Sequence, residues 1–267
     1  MLSKTRFQSL LAMTRKKERA ESGMFFVEGW RWLEEALALP EPPACVLAVA
    51  GASRSAAEES LLARARTVAH EFHETSPEQL AKLTETVSAP GVAALVRWRP
   101  TPSVNACAGS EGPAPALVVA LDAVGDPGNA GTIIRTADWF GAAGVVLGDG
   151  SVEPTNPKVV RATMGSLFHL PIAQPGALAP ALEALRARGF AAVGAALDGV
   201  ELPQFRWPAR TVLVIGNEAN GIQPAVAAAL DHRVRIPAHG RAESLNAAIA
   251  AAVLMADWRA RAMASVR

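Results

Sequence analysis

The sequence predicts an α/β protein, with a parallel-sheet domain at the C-terminal end and a smaller α/β domain before it. Three observations carry this. From residue 116 onward, short apolar runs alternate strictly with helical stretches, the pattern of parallel strands covered by helices on both faces. The runs ALVVAL (116–121), GVVLGD (144–149) and TVLVIG (211–216) lack in-and-out alternation, as strands buried on both sides do. Finally, residues 99–115 are rich in Pro, Gly, Ser and Ala with almost no periodicity, which reads as an interdomain linker. The predicted organisation is an N-terminal domain over 1–100, a linker over 101–115 and a C-terminal domain over 116–267.

Taken in order, the first 19 residues are locally basic, with Lys4, Arg6, Arg15, Lys16, Lys17 and Arg19. They lack the apolar core of a secretory signal. Phe7, Leu10, Leu11 and Thr14 fit an amphipathic helix, whose charges are either a solvated face or an RNA contact. MFFVE (24–28) is a strand and 30–39 a helix that PEPP (40–43) ends. Strands follow at 45–50, 71–75 and 91–98, with helices at 55–66 and 77–83. In the second half, strands are expected at 116–121, 144–149, 169–174, 190–197, 211–216 and 233–237. Helices are expected at 129–140, 156–166, 177–188, 223–231 and 243–260.

Composition narrows the function. Half the residues are apolar, enough for a core. No apolar run approaches the ~20 residues that span a bilayer, so a soluble chain is expected. The net charge of +1 gives no global field for nucleic acid, and any RNA contact must be local. Cys45 and Cys107 match no metal spacing and fit a reducing, cytoplasmic compartment. The five histidines (70, 73, 169, 232 and 239) form no metal spacing either, and no metal is expected. A G-x-S-x-G elbow is absent, which disfavours a serine hydrolase.

Three polar turns each follow a strand and open a helix, where open α/β sheets place ligands. The first, DPGNAGTIIR (126–135), has glycines three apart at 125, 128 and 131, so it is not the dinucleotide fingerprint. Asn129 reads as a helix N-cap or as a ligand-facing amide. Arg135 reads as a surface charge, an ion-pair partner of Asp138, or an anion clamp, because a guanidinium fork suits phosphate. In the second turn, NEANG (217–221), Glu218 either favours the positive end of the next helix or faces a ligand. In the third, AHGRAESLN (238–246), Ser244 is a candidate cap and Asn246 falls inside the helix, an unfavourable place for asparagine.

Together these turns resemble the SpoU (TrmH-type) family of SPOUT RNA methyltransferases. The resemblance lies in GNAGTIIRTA (128–137) with Phe140-Gly141, in IGNEANGI (215–222), and in Ile236-Pro237 with ESLN (243–246). PKVVRATMGS (157–166) is similar to a further family segment, and FVEG (26–29) with APGVAA (89–94) to the family's small substrate-binding domain, which is L30e-like. Asp126 stands where a neutral polar residue is common. The resemblance implies a C-terminal SPOUT domain with a deep trefoil knot, which no spacing could reveal. It implies that S-adenosylmethionine binds there, at positions matched by Leu197, Gly216, Ile236 and Leu245, with Ala195 and Asn217 nearby. It further implies a homodimer whose sites use both chains, and methyl transfer to a ribose 2′-hydroxyl of rRNA or tRNA. The appended domain tilts the expectation toward rRNA. Arg135, Asn129, Glu218, Ser244 and Asn246 are then the catalytic set. Local charge adds Lys158, Arg161 and Arg241 as RNA contacts. Three other readings stand beside it: an RNA-binding module without catalysis, a nucleotide-dependent oxidoreductase or hydrolase, and a base-directed RNA methyltransferase.

Overall fold

The structure, a computed structural model, describes residues 2–84, 91–101, 103–110, 112 and 114–264. Positions 89 and 90 of the APGVAA segment lie outside them. The chain forms two compact units, Met1–Arg99 with Thr155–Phe168, and Pro100–Pro154 with His169–Arg267.

The first unit begins with helix α1 (Lys4–Ala12), which Ser3 caps by accepting the Arg6 N–H, and α2 (Lys16–Ser22), which Gly23 ends at φ 67°. There follow β1 (Met24–Glu28), α3 (Trp30–Ala38), β2 (Cys45–Val49), α4 (Ala56–Val68), β3 (Phe72–Thr75), α5 (Pro77–Thr84) and β4 (Val92–Arg97). Helix α4 starts at a reciprocal Ser55–Glu58 capping box. The sheet order is β1-β4-β2-β3, with β4 antiparallel to both neighbours and β2 parallel to β3. All of β2 is buried, as its unbroken apolar run requires.

The chain then enters the second unit with β5 (Ala116–Leu121), α6 (Pro127–Trp139) and β6 (Gly144–Gly148). It returns to the first unit for α7 (Pro157–Thr163) and a 3₁₀ turn at Ser166–Phe168. Phe168 packs edge-on against Trp32, with ring centroids 5.5 Å apart, and Val159 and Val160 are buried. Residues 155–168, expected in the C-terminal domain, therefore belong to the core of the first unit. The helix expected over 156–166 stops at 163 because Met164 and Gly165 take φ of 51° and 106°.

The second unit is completed by β7 (Ile172–Gly176), α8 (Leu178–Arg186), β8 (Ala191–Glu201), β9 (Arg210–Ile215), α9 (Pro224–Ala227), β10 (His232–Arg235) and α10 (Ala247–Ala264). Its six strands are all parallel, in the order β10-β8-β9-β5-β6-β7. Between β8 and β10 the register jumps from Gly194↔Arg233 to Val200↔Val234, so residues 195–199 leave the ladder. The helix expected over 223–231 is a single turn. Asp231 is drawn to β8 instead, donating its N–H to the Ala192 carbonyl and accepting the Ala192 N–H on its carboxylate.

The stretch read as a linker is built into the second unit. Thr101 donates its N–H to the Ile172 carbonyl, and Val104–Ala108 form a 3₁₀ helix whose Cys107 and Ala108 are fully buried. Arg188 donates to the carbonyls of Asn105 and Gly109, and Arg210 to that of Gly112 while lying over the Phe190 ring. Small residues gave no periodic signal here, yet small residues are what the position needs. A Cβ added at Gly144 would lie 2.7 Å from the Cys107 Cα. Gly144→Ala should therefore overpack this seam and destabilise the chain by about 1–3 kcal/mol, measured by denaturant unfolding of the full chain.

Candidate active site

The site is assembled at the carboxyl ends of β5 and β9, the paired central strands. After β5, Asp126 caps α6 by accepting the Asn129 N–H at 2.7 Å, and Pro127 occupies the first helical turn. Of the two readings of Asn129, the helix cap is therefore set aside, because Asp126 fills that position. With Asp126 in that role, the Asn129 side chain is released for other bonds.

After β9 the chain reverses tightly. Asn217 and Gly221 exchange both backbone hydrogen bonds at 2.9 Å, and Gly221 sits at φ 68°. A Cβ on Gly216 would lie 2.4 Å from the Gly221 carbonyl carbon, so this position admits only glycine. The Asn217 side chain accepts from the N–H groups of Ala219 and Asn220 and donates to the Ala123 carbonyl. Glu218 is held at the tip of this turn.

Asn246 is not inside α10 but caps it. Its Oδ1 accepts the N–H groups of Ala248 (2.9 Å) and Ile249 (3.3 Å). That corrects the expectation of a helix starting at 243 and explains the asparagine. Its Nδ2 donates to Asn129 Oδ1 at 2.8 Å, and Asn129 Nδ2 donates to Glu218 Oε1 at 2.7 Å. The direction of this relay follows from chemistry. The helix N–H groups can only donate and an ionised carboxylate can only accept, so both amides are oriented. The relay joins all three turns predicted to converge.

It does not include the other two members of the catalytic set. Arg135 is exposed on α6, about 120° round the helix from Asn129, and its side chain has no hydrogen bond or ion pair among the described residues. Asp138, its suggested partner, bonds His169 Nδ1 at 2.9 Å. Ser244 is exposed and likewise unbonded.

The positions expected to hold a cofactor lie at the carboxyl ends of neighbouring strands. Ala195 and Leu197 lie in the segment that leaves the β8 ladder, Gly216 and Asn217 follow β9, and Ile236 follows β10. Leu197 and Leu245 are 76 % and 49 % exposed, so their side chains are open to a ligand. The backbone of the 216–222 turn offers polar groups at the carboxyl end of β9. The residues present thus fit a nucleoside cofactor.

Of the predicted RNA contacts, Lys158 and Arg241 are exposed, whereas Arg161 pairs with Glu28 at 3.3 Å. Among the described residues one group brings metal-ligand atoms together, those of Cys45, Glu71 and His73, all within 4.8 Å. Glu71 already carries a two-pronged Arg6 pair and a His73 bond, and its carboxyl is held low chiefly by the latter. Burial pushes the Cys45 thiol up to about 12, so it stays protonated, and the group reads as a structural charge cluster. Sequence reading missed Asp122 and noted Asp126 without giving it a role. The second was legible, since aspartate followed by proline and three apart from asparagine is a helix start.

The polar relay lies where parallel α/β sheets bind their ligands, at the carboxyl ends of the central strands, which is the arrangement of an α/β enzyme. Residues 116–256 match the SpoU rRNA methylase family and residues 4–94 the MRM3-like substrate-binding domain. The chain belongs to the SpoU rRNA methylase family. It is 32 % identical over 245 residues to the 23S rRNA (guanosine(2553)-2′-O)-methyltransferase RlmP of Bacillus subtilis, covering 91 % of this chain and 92 % of that one. It is 34 % identical over 255 residues to the 23S rRNA (uridine(2479)-2′-O)-methyltransferase of Streptomyces viridochromogenes, covering 93 % and 86 %. Among solved structures, it is similar to the SpoU methyltransferase AviRb from S. viridochromogenes in complex with AdoMet. That likeness has a TM-score of 0.86 at 32 % identity and covers 98 % and 99 % of the two chains.

The relay separates capping from chemistry. Asn246→Ala should cost about 1 kcal/mol through the lost cap, whereas Asn246→Ser keeps a capping oxygen and should cost only a few tenths, both read by thermal unfolding. Alanine has no donor and the serine hydroxyl is too short to reach Asn129, so both should lose activity.

Proposed function

We propose that the chain transfers a methyl group from S-adenosylmethionine to a ribose 2′-hydroxyl of RNA, with rRNA the first candidate and tRNA the second. The observation that carries this reading is the Asn246–Asn129–Glu218 relay, which draws the three family motifs to one point. When bound, S-adenosylmethionine supplies a methyl already made electrophilic by its sulfonium. The protein's task is then alignment of donor and acceptor. Glu218, oriented by Asn129, accepts a hydrogen bond from the ribose. Leu197, Gly216, Ile236 and Leu245, with Ala195 and Asn217 nearby, would hold the cofactor's adenine and sulfonium portions, largely through backbone groups. Ser244, exposed beside the relay's third turn, completes the ribose contacts. The trefoil knot belongs to this reading. Supporting it is the tight packing of residues 195–199, which leave the β8 ladder, against β10: a Cβ at Gly199 would lie 2.6 Å from the Arg233 carbonyl carbon.

A guanidinium is a poor base and a good anion partner, so Arg135 acts as phosphate clamp and oxyanion stabiliser rather than base. Because it points away from Asn129, it serves the relay of a second protomer. Exposed apolar groups on the same two helices support a homodimer. Trp139 on α6 is 84 % exposed, and Ile249 and Val253 lie one turn apart on α10. The N-terminal unit selects the target through Lys4, Arg15, Lys16, Lys17 and Lys158, all exposed, and the exposed Arg241 of the second unit adds a further RNA contact. Arg6 is spent on Glu71, and Arg19 is buried, donating to the Thr14 carbonyl. No helix among the described residues is long and apolar enough to cross a membrane. The reading places the work on RNA in the cytoplasm.

Labelled methyl offered with unmodified rRNA and tRNA should appear, after alkaline hydrolysis, in resistant dinucleotides. The 2′-hydroxyl is the nucleophile of that hydrolysis, so label confined to mononucleotides would indicate base methylation instead. Arg135→Ala should abolish transfer while calorimetry shows cofactor affinity unchanged. Co-assembly of Arg135→Ala with Glu218→Ala chains should restore transfer. A heterodimer of the two has one intact site if Arg135 acts across the interface, and none if it acts within its own chain.

A further inference from the structure

Asp122, the first residue after β5, is 1 % exposed, and a buried carboxylate is costly unless it is bonded. Its Oδ2 accepts the Gln223 N–H at 2.6 Å. Gln223 closes the turn that follows β9. The start of the same turn is held by Asn217, whose Nδ2 donates to the Ala123 carbonyl at 2.9 Å. Ala123 stands at φ 56°, a left-handed conformation that alanine adopts only under constraint. The exit of β5 therefore grips the 216–223 turn at both ends.

The fold does not require this grip. β5 and β9 are already joined by a parallel ladder from Ala116↔Arg210 to Leu121↔Ile215. Burial also pushes the Asp122 carboxyl up, while the Gln223 N–H pulls it down. A charge that is disfavoured by its surroundings, and unnecessary to the sheet, is explained by what it holds.

We infer that Asp122 is a positioning residue for the methyl donor: by anchoring Gln223 it keeps the turn carrying Gly216 and Asn217 in the shape that receives the donor's nucleoside. This rests on the methyltransferase reading above. It concerns shape, not chemistry, so its signature is donor affinity rather than turnover.

Asp122→Asn keeps an acceptor oxygen and removes the buried charge. It should unfold at or above the parent's temperature and bind S-adenosylmethionine within about threefold of it. Asp122→Ala leaves the Gln223 N–H unpaired and should weaken binding about tenfold, raising the donor KM in step while kcat at saturating donor stays within about threefold. Gln223→Pro removes the donor side of the same bond at a φ of −61° that suits proline, and should reproduce the loss even if Asp122→Ala fails to fold. Parent-like affinity in Asp122→Ala or in Gln223→Pro would overturn the inference. So would an Asp122→Asn chain as weak as Asp122→Ala, or a loss in kcat alone. If the parent itself binds no S-adenosylmethionine, the methyltransferase reading falls, and this inference with it. If the parent binds and transfers but the variants match it, only the inference falls.

Discussion

The structure of the site depends on Asn129 having both ends of its amide committed. Its oxygen accepts from Asn246 and its nitrogen donates to Glu218. An uncharged amide accepts at one atom and donates from the other, so it passes orientation from a helix terminus to a carboxylate. Aspartate could not donate, and a hydroxyl is too short to bridge. The arrangement works only because Asp126 takes over the capping of α6 and leaves Asn129 free.

The parallel sheet gives these bonds their place. With β5 and β9 adjacent and in register, their exits lie side by side, and the loops after them can be stitched together. β8 and β10 flank them at one edge, where residues 195–199 leave the ladder. Backbone groups freed from pairing there are available to a ligand, which is why irregularity at a strand end so often marks a binding site.

The first unit shows the same economy with different means. Its charges are mostly spent on its own structure: Arg6 with Glu71 and His73, Arg161 with Glu28, Arg66 with Glu74. What remains exposed and basic is small, in keeping with a chain of near-zero net charge. The return of residues 155–168 to this unit means that its aromatic core, Phe25, Trp32 and Phe168, is assembled from distant parts of the chain.

Sequence by itself determined what is local or periodic. The strands, the alternation that makes the sheet parallel, and the three polar turns were legible because β-branched runs, glycines and amides act over a few residues. The convergence of the turns was legible too, since strand ends of a parallel sheet share an edge. Tertiary structure decided what depends on neighbours remote in sequence. Whether Asn129 bridges, whether Arg161 is free or paired, and whether 99–115 is a tether or part of a core turn on groups remote in the chain: Glu218 and Asn246 for the first, Glu28 for the second, Ile172 and Arg188 for the third. Local propensity allows each of those outcomes, and a hydrogen bond or an absent Cβ at a distant position selects one.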